Sequence, residues 1–140
     1  MSNNWIDPDA CKYLAVLVES VTAPLLIQHE SPVCLELDIP TDLTIPAEPK
    51  QTAELIRKLV VQSLAEMGGA GDLLITACET PNGIELELAD SGCDVNARAK
   101  SRPMVAAAIG ASLDWQNCPQ GGAAVTITFQ REGESGRMAA

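Results

Sequence analysis

The sequence predicts an α/β fold: a two-layer sandwich whose mixed, mostly antiparallel sheet carries its helices on one face. Three observations lead there. From Glu48 to Met67, apolar residues recur at helical spacing over about five turns. Two strand-like stretches, Leu73–Cys78 and Ile84–Ala89, flank Pro81-Asn82-Gly83, and Asn-Gly is a strong hairpin signal. The full order over 140 residues reads helix, strand, long helix, hairpin, helix, hairpin. Consecutive strands are expected to pair antiparallel, and helices with one apolar stripe must bury it against the sheet.

Each element has a local reason. Residues 1–8 are expected to be a disordered N-terminus, with Asp7 or Asp9 capping a first helix and Pro8 tolerated in its first turn. Tyr13, Leu14, Leu17, Val18, Val21 and Leu25 form that helix's apolar stripe, which Pro24 should kink or end. This stretch is also a candidate partner-binding helix. His29-Glu30-Ser31-Pro32 is a loop by composition. Cys34–Ile39 alternates as a strand with one wet face, and Leu43–Ile45 is a short extended piece. In the long helix, Leu55, Ile56, Leu59, Val60, Ser63, Leu64 and Met67 share one stripe, and Gly68-Gly69 stops it. Beyond Asp90 the chain turns irregular, then an alanine-rich helix is expected over Pro103–Ser112. Leu113–Cys118, the turn Pro119–Gly122 and Ala123–Gln130 make the last hairpin. Residues 131–140 are expected to be a disordered tail, which leaves 9–130 as one domain.

Composition narrows the function. Hydrophobic residues are 46% and charged residues 20%, a globular balance. The net charge is −10, so nucleic acid and anionic membrane surfaces are not expected as partners. There is no signal-peptide pattern and no apolar run of membrane-spanning length, so a cytoplasmic location is expected. Five dispersed cysteines without a CxxC pair read as free thiols, and His29 is the single histidine, so no metal site is expected. Trp5 and Trp115 read as packing residues.

Several strings in order resemble the ATP-binding domain of bacterial histidine kinases, over roughly residues 10–130. That domain belongs to the superfamily of gyrase, chaperone, histidine-kinase and mismatch-repair ATPases. Leu35–Leu43 is similar to the family's opening strand and turn, and Ala47-Glu48-Pro49 to its "A-D-P" helix start. Leu55–Met67 is similar to the N-box helix, and Leu86–Gly92 to the strand and turn of the first glycine box. Gly121–Phe129 is similar to the last turn and strand.

The resemblance implies a nucleotide site at Asp90, Gly92, Gln62 and Lys58, and this sequence departs from the family at several of its positions. The family's adenine-reading aspartate matches Asp90, and its first glycine matches Gly92. The plainer reading is that Asp90 simply starts a turn with Ser91-Gly92. The asparagine that holds Mg²⁺ is replaced by Gln62, one methylene longer, and octahedral Mg²⁺ at about 2.1 Å tolerates that shift poorly. Lys58 stands where the family has a glutamate or asparagine, and a protonated lysine is no base. Asp94 replaces the second glycine, no GxG follows before Ser112, and Cys93–Pro103 is too short for a folded ATP lid. Arg98, Lys100 and Arg102 are a basic cluster in the lid's place, able to meet a phosphate or an acidic partner or to be an ordinary charged loop. His29-Glu30 is similar to the start of the phosphoacceptor motif, but sits in a loop beside Pro32.

The expectation is a degenerate, stand-alone member: a non-catalytic regulatory or scaffold module in two-component-type signalling. Its implied partner is a receiver domain or a kinase, with no cofactor needed and a monomeric or weakly dimeric state. The alternative is a genuine ATP- or ADP-binding protein, a compact ATPase or an anti-sigma-like protein kinase that uses Mg-ATP.

Overall fold

The computed structural model describes residues 11–98 and 102–130. The expectations for residues 1–8 and 131–140, for Asp7–Asp9 as a helix cap, for Trp5 and for Lys100 lie outside the described residues. The described chain runs α1 (Leu14–Gln28), β1 (Val33–Asp38), α2 (Pro49–Met67), β2 (Gly71–Thr80), β3 (Gly83–Asp90), a 3-10 turn (Val95–Ala97), α3 (Met104–Ala108), β4 (Ala111–Asn117) and β5 (Ala123–Gln130). The five strands form one sheet in the order β1-β2-β3-β5-β4.

Three neighbouring pairs are antiparallel, β2–β3, β3–β5 and β4–β5. β1 and β2 pair parallel, because α2 carries the chain back to the starting end before β2 begins. The expectation that all consecutive strands pair antiparallel is therefore corrected at two junctions: β1 and β2 pair parallel, and β3 and β4 do not pair because β5 lies between them, so the sheet is mixed.

Period-two alternation sorts the strand side chains between two faces. Leu73, Ile75, Leu86, Leu88, Leu113, Val125, Ile127 and Phe129 point inward and are buried. They meet Leu14, Leu17 and Val18 of α1 and Leu55, Ile56, Leu59, Val60 and Leu64 of α2 in one core. Among the described residues, no helix lies against the opposite face.

α2 follows its sequence closely. Glu48 is the N-cap, and its carboxylate accepts from the backbone N–H groups of Gln51 (2.8 Å) and Lys50 (3.0 Å). Pro49 occupies the first turn, where its missing N–H costs nothing. Gly68 ends the helix in the left-handed conformation, φ 69°, and donates to the Leu64 carbonyl.

The first helix differs from expectation at both ends. It begins at Leu14, with Tyr13 as an N-cap that makes no side-chain cap hydrogen bond. Tyr13 instead forms an isolated antiparallel bridge with Thr44, in the expected extended piece, and this pairing holds Cys11–Tyr13 out of helical geometry. Pro24 does not end α1, which continues to Gln28. The alanine-rich helix is also shorter than expected. It stops at Ala108, and Ser112 already belongs to β4, paired with Thr128.

Candidate functional site

The site is built where β3 ends against the last turns of α2. Asp90 closes β3 on its inward face, opposite Leu73 on β2 and Ala123 on β5. The turn that follows packs on α2. The Ser91 hydroxyl accepts from the Asp72 N–H at 2.9 Å, and the Cys93 thiol donates to Glu66 Oε1 at 3.4 Å. At Gly92 an added Cβ would sit 3.0 Å from the Glu66 carbonyl and 3.1 Å from Asp90 Oδ1, so a side chain there would require these neighbours to give by a few tenths of an ångström. Gly122, at φ 89°, is tighter: a Cβ would overlap the Asp90 carbonyl. Gly122, just before β5, thus serves the close approach of two backbones.

Asp90 itself is buried and fully engaged. Arg98 Nη1 donates to Asp90 Oδ2 at 2.9 Å, and Nη2 donates to Oδ1 at 2.9 Å, a bidentate fork. The Gly92 N–H donates to Oδ1 at 2.9 Å. Arg98 Nη2 also donates to the Cys93 carbonyl, while its Nε is buried without a hydrogen-bond partner. The two side chains are 0% and 1% exposed. Burial alone would raise the Asp90 carboxyl. The hydrogen bonds from Arg98, the Gly92 N–H and Ser63, together with the Arg98 charge, outweigh burial and hold it below the usual carboxylate range. The hydrogen bonds to Asp90 outweigh burial at Arg98 and raise the guanidinium further.

The 3-10 turn delivers Arg98 to this position. Val95 is buried, and its N–H donates to Asn117 Oδ1 at 2.7 Å, which ties the turn to the end of β4. Cys118, just beyond, has its thiol pushed up, first by burial and then by the negative charges of Asp90 and Glu87.

The remaining sequence-singled residues scatter. Gln62 is half-buried on α2, next to Ser63. Lys58 is exposed one turn earlier and pairs with Glu54 at 3.9 Å, an i, i+4 surface contact. Arg102 lies on the other side of the loop, where Nη1 donates to the Leu113 carbonyl on β4 at 3.3 Å. Arg98 and Arg102 thus form no common basic surface: one is a buried counter-ion, the other hydrogen-bonds a strand carbonyl. His29 sits at the C-terminal end of α1, its backbone N–H on the Leu26 carbonyl, in a turn and not within a helix. Trp115 packs against the core.

Ser63 is the residue that sequence reading passes over. It looks like one more member of the α2 stripe, but its side chain hydrogen-bonds Asp90. The available signal is a hydroxyl in an otherwise apolar stripe, since a buried hydroxyl needs a partner. Among the described residues, no group of three or more His, Cys, Asp or Glu side chains could hold a metal ion, and no helix is long and apolar enough to cross a membrane.

No protein-family model matches the chain, and no curated protein matches it. Solved structures do. The catalytic domain of histidine kinase ThkA superposes with a TM-score of 0.66 at 15% identity, over 84% of this chain and 92% of that one. The mycobacterial sensor histidine kinase MprB gives 0.67 at 11% identity, over 84% and 94%. The Acinetobacter baumannii histidine kinase AdeS gives 0.67 at 17% identity, over 84% and 64%. With the strand order and helix placement above, these likenesses establish that the chain has the fold of a histidine-kinase catalytic ATPase domain.

Proposed function

We propose that the protein is a non-catalytic histidine-kinase-like domain that works as a regulatory or scaffold module through protein contacts, within two-component-type signalling. One observation carries the reading: the Asp90 carboxylate, at the position where the family reads adenine, is saturated from within. Both of its oxygens accept from Arg98, and Oδ1 also accepts from the Gly92 N–H. As placed, it does not fit an adenine amino group, which would have to displace a bidentate, buried guanidinium. Breaking such a contact by removing one partner is costly, because it leaves a buried charge uncompensated.

The phosphate end supports the same reading. Gln62 stands in for the Mg²⁺-holding asparagine, and Lys58 is turned out toward Glu54. Between Asp90 and β4 the described chain carries a three-residue 3-10 turn and a five-residue helix, little material for a lid over a triphosphate. The partner is of receiver or kinase type, the cellular setting is cytoplasmic, and no cofactor is required.

Calorimetric titration with Mg-ATP and Mg-ADP to millimolar nucleotide tests this. No heat and no shift in melting temperature are expected. Micromolar binding would reject the proposal in favour of an ATP- or ADP-binding protein.

A further inference from the structure

α1 is a helix with no polar side. Of its 15 residues, LAVLVESVTAPLLIQ, Glu19 alone is charged. A helix that is apolar all round is ordinarily buried on every side. Here Leu14, Leu17 and Val18 enter the core, while Val16 is 41% exposed and Ile27 is 83% exposed. Val16, Ser20, Ala23 and Ile27 succeed one another at spacings of four, three and four, the seam of a paired helix. Among the described residues, the groove of about 390 Å³ that they line is formed by α1. The seam's hydroxyl is satisfied internally, Ser20 Oγ donating to the Leu17 carbonyl at 2.9 Å.

We propose that this face pairs with the same face of a second copy of the chain, antiparallel about a twofold axis. The seam is self-complementary. Its large residues lie at the ends and its small ones at the centre, so an antiparallel copy sets Val16 against Ile27 and Ser20 against Ala23. The small central pair allows close approach, and the helix dipoles oppose. The same register brings the Lys12 end of one copy over the Glu30 end of the other, and both residues are exposed. Glu19 then faces the uncharged Pro24.

Charge favours this face over the exposed face of the sheet. The net charge is −10, and no lysine or arginine lies in any of the five strands. The uncovered sheet face instead presents Glu36, Asp38, Asp72, Glu85, Glu87 and Asp114, which repel a second copy. Compared with that sheet face, α1 lets two such acidic molecules meet with less repulsion. A seam of one helix per copy is small, so the association is expected to be weak.

Sedimentation equilibrium of the full chain from about 1 µM to about 1 mM tests the inference, a range that spans weak association constants. The mass should rise with concentration from 14.8 kDa toward twice that value. Ile27→Glu should abolish the rise while leaving the melting temperature unchanged, since Ile27 is almost wholly exposed. Lys12→Glu should weaken association roughly 3–10-fold, and adding Glu30→Lys should restore it. A wild-type monomer throughout the range would overturn the inference and leave the face to a different protein. Self-association untouched by Ile27→Glu and Lys12→Glu would also overturn it.

Discussion

α2 and the segment from Asp90 to Arg98 lie against each other and are held in opposite ways. α2 is ordered by local, repeated causes: a carboxylate cap at one end, a left-handed glycine at the other, and eight buried residues between them. The segment has short-range geometry but no stripe of its own. Its order depends on scattered single contacts: an ion pair spanning eight residues, a turn hydrogen bond at Gly92, the hydrogen bonds of Ser91 to Asp72 and Cys93 to Glu66, and a contact to Asn117 across 22 residues. Redundant burial spreads the cost of any single change, whereas a buried charge pair concentrates it in two side chains.

Substitutions can break or sharpen that contrast. Arg98→Met strips the counter-ion from a buried carboxylate and should cost about 3–5 kcal/mol in urea unfolding. The double variant Arg98→Met with Asp90→Asn should recover much of that loss, because it removes the uncompensated charge. If the single variant costs less than ~1 kcal/mol, the segment is not held by the pair. On the α2 side, Leu59→Ala should cost about 2–5 kcal/mol, set by how far the core closes over the lost methyl groups.

Acid titration separates the two regions further. The folded Asp90 carboxyl is held below its unfolded value near 3.8, so its contribution to stability is complete above that pH. It is lost as the pH falls through the folded value. Asp90→Asn should flatten this part of the stability profile below about pH 4, whereas Leu59→Ala should lower the profile without changing its slope. An equally steep decline in Asp90→Asn would place the titrating group elsewhere.

The smallest effect belongs to the helix cap. Glu48→Ala leaves the Lys50 and Gln51 N–H groups to water and should cost about 0.5–2 kcal/mol. A loss comparable to that of Leu59→Ala would mean that Glu48 holds more than the helix end.

What the sequence exposed follows the same division. The bounds of α2, the hairpin at Asn82-Gly83 and the last strand, Ala123–Gln130, were legible because short-range periodicity and turn chemistry dictate them. The start of α1 was not, because Tyr13 is drawn into a bridge with Thr44, 31 residues away. Ser112 reads as the end of a helix until β5 offers it a partner in Thr128. The surface role open to Arg98 in sequence gave way to a buried one for a similar reason: eight residues of separation do not reveal that a 3-10 turn tied to Asn117 aims its guanidinium inward.

By itself, then, the sequence determined most of the elements and the fold class, since these are written in neighbouring residues. The tertiary structure decided which distant residues meet: that Asp90 is matched by Arg98 and Ser63, that Lys58 turns to Glu54, and that, among the described residues, one face of α1 is left exposed. Those outcomes depend on which distant groups share a low-dielectric space and on what remains unburied after packing, and no local pattern encodes either.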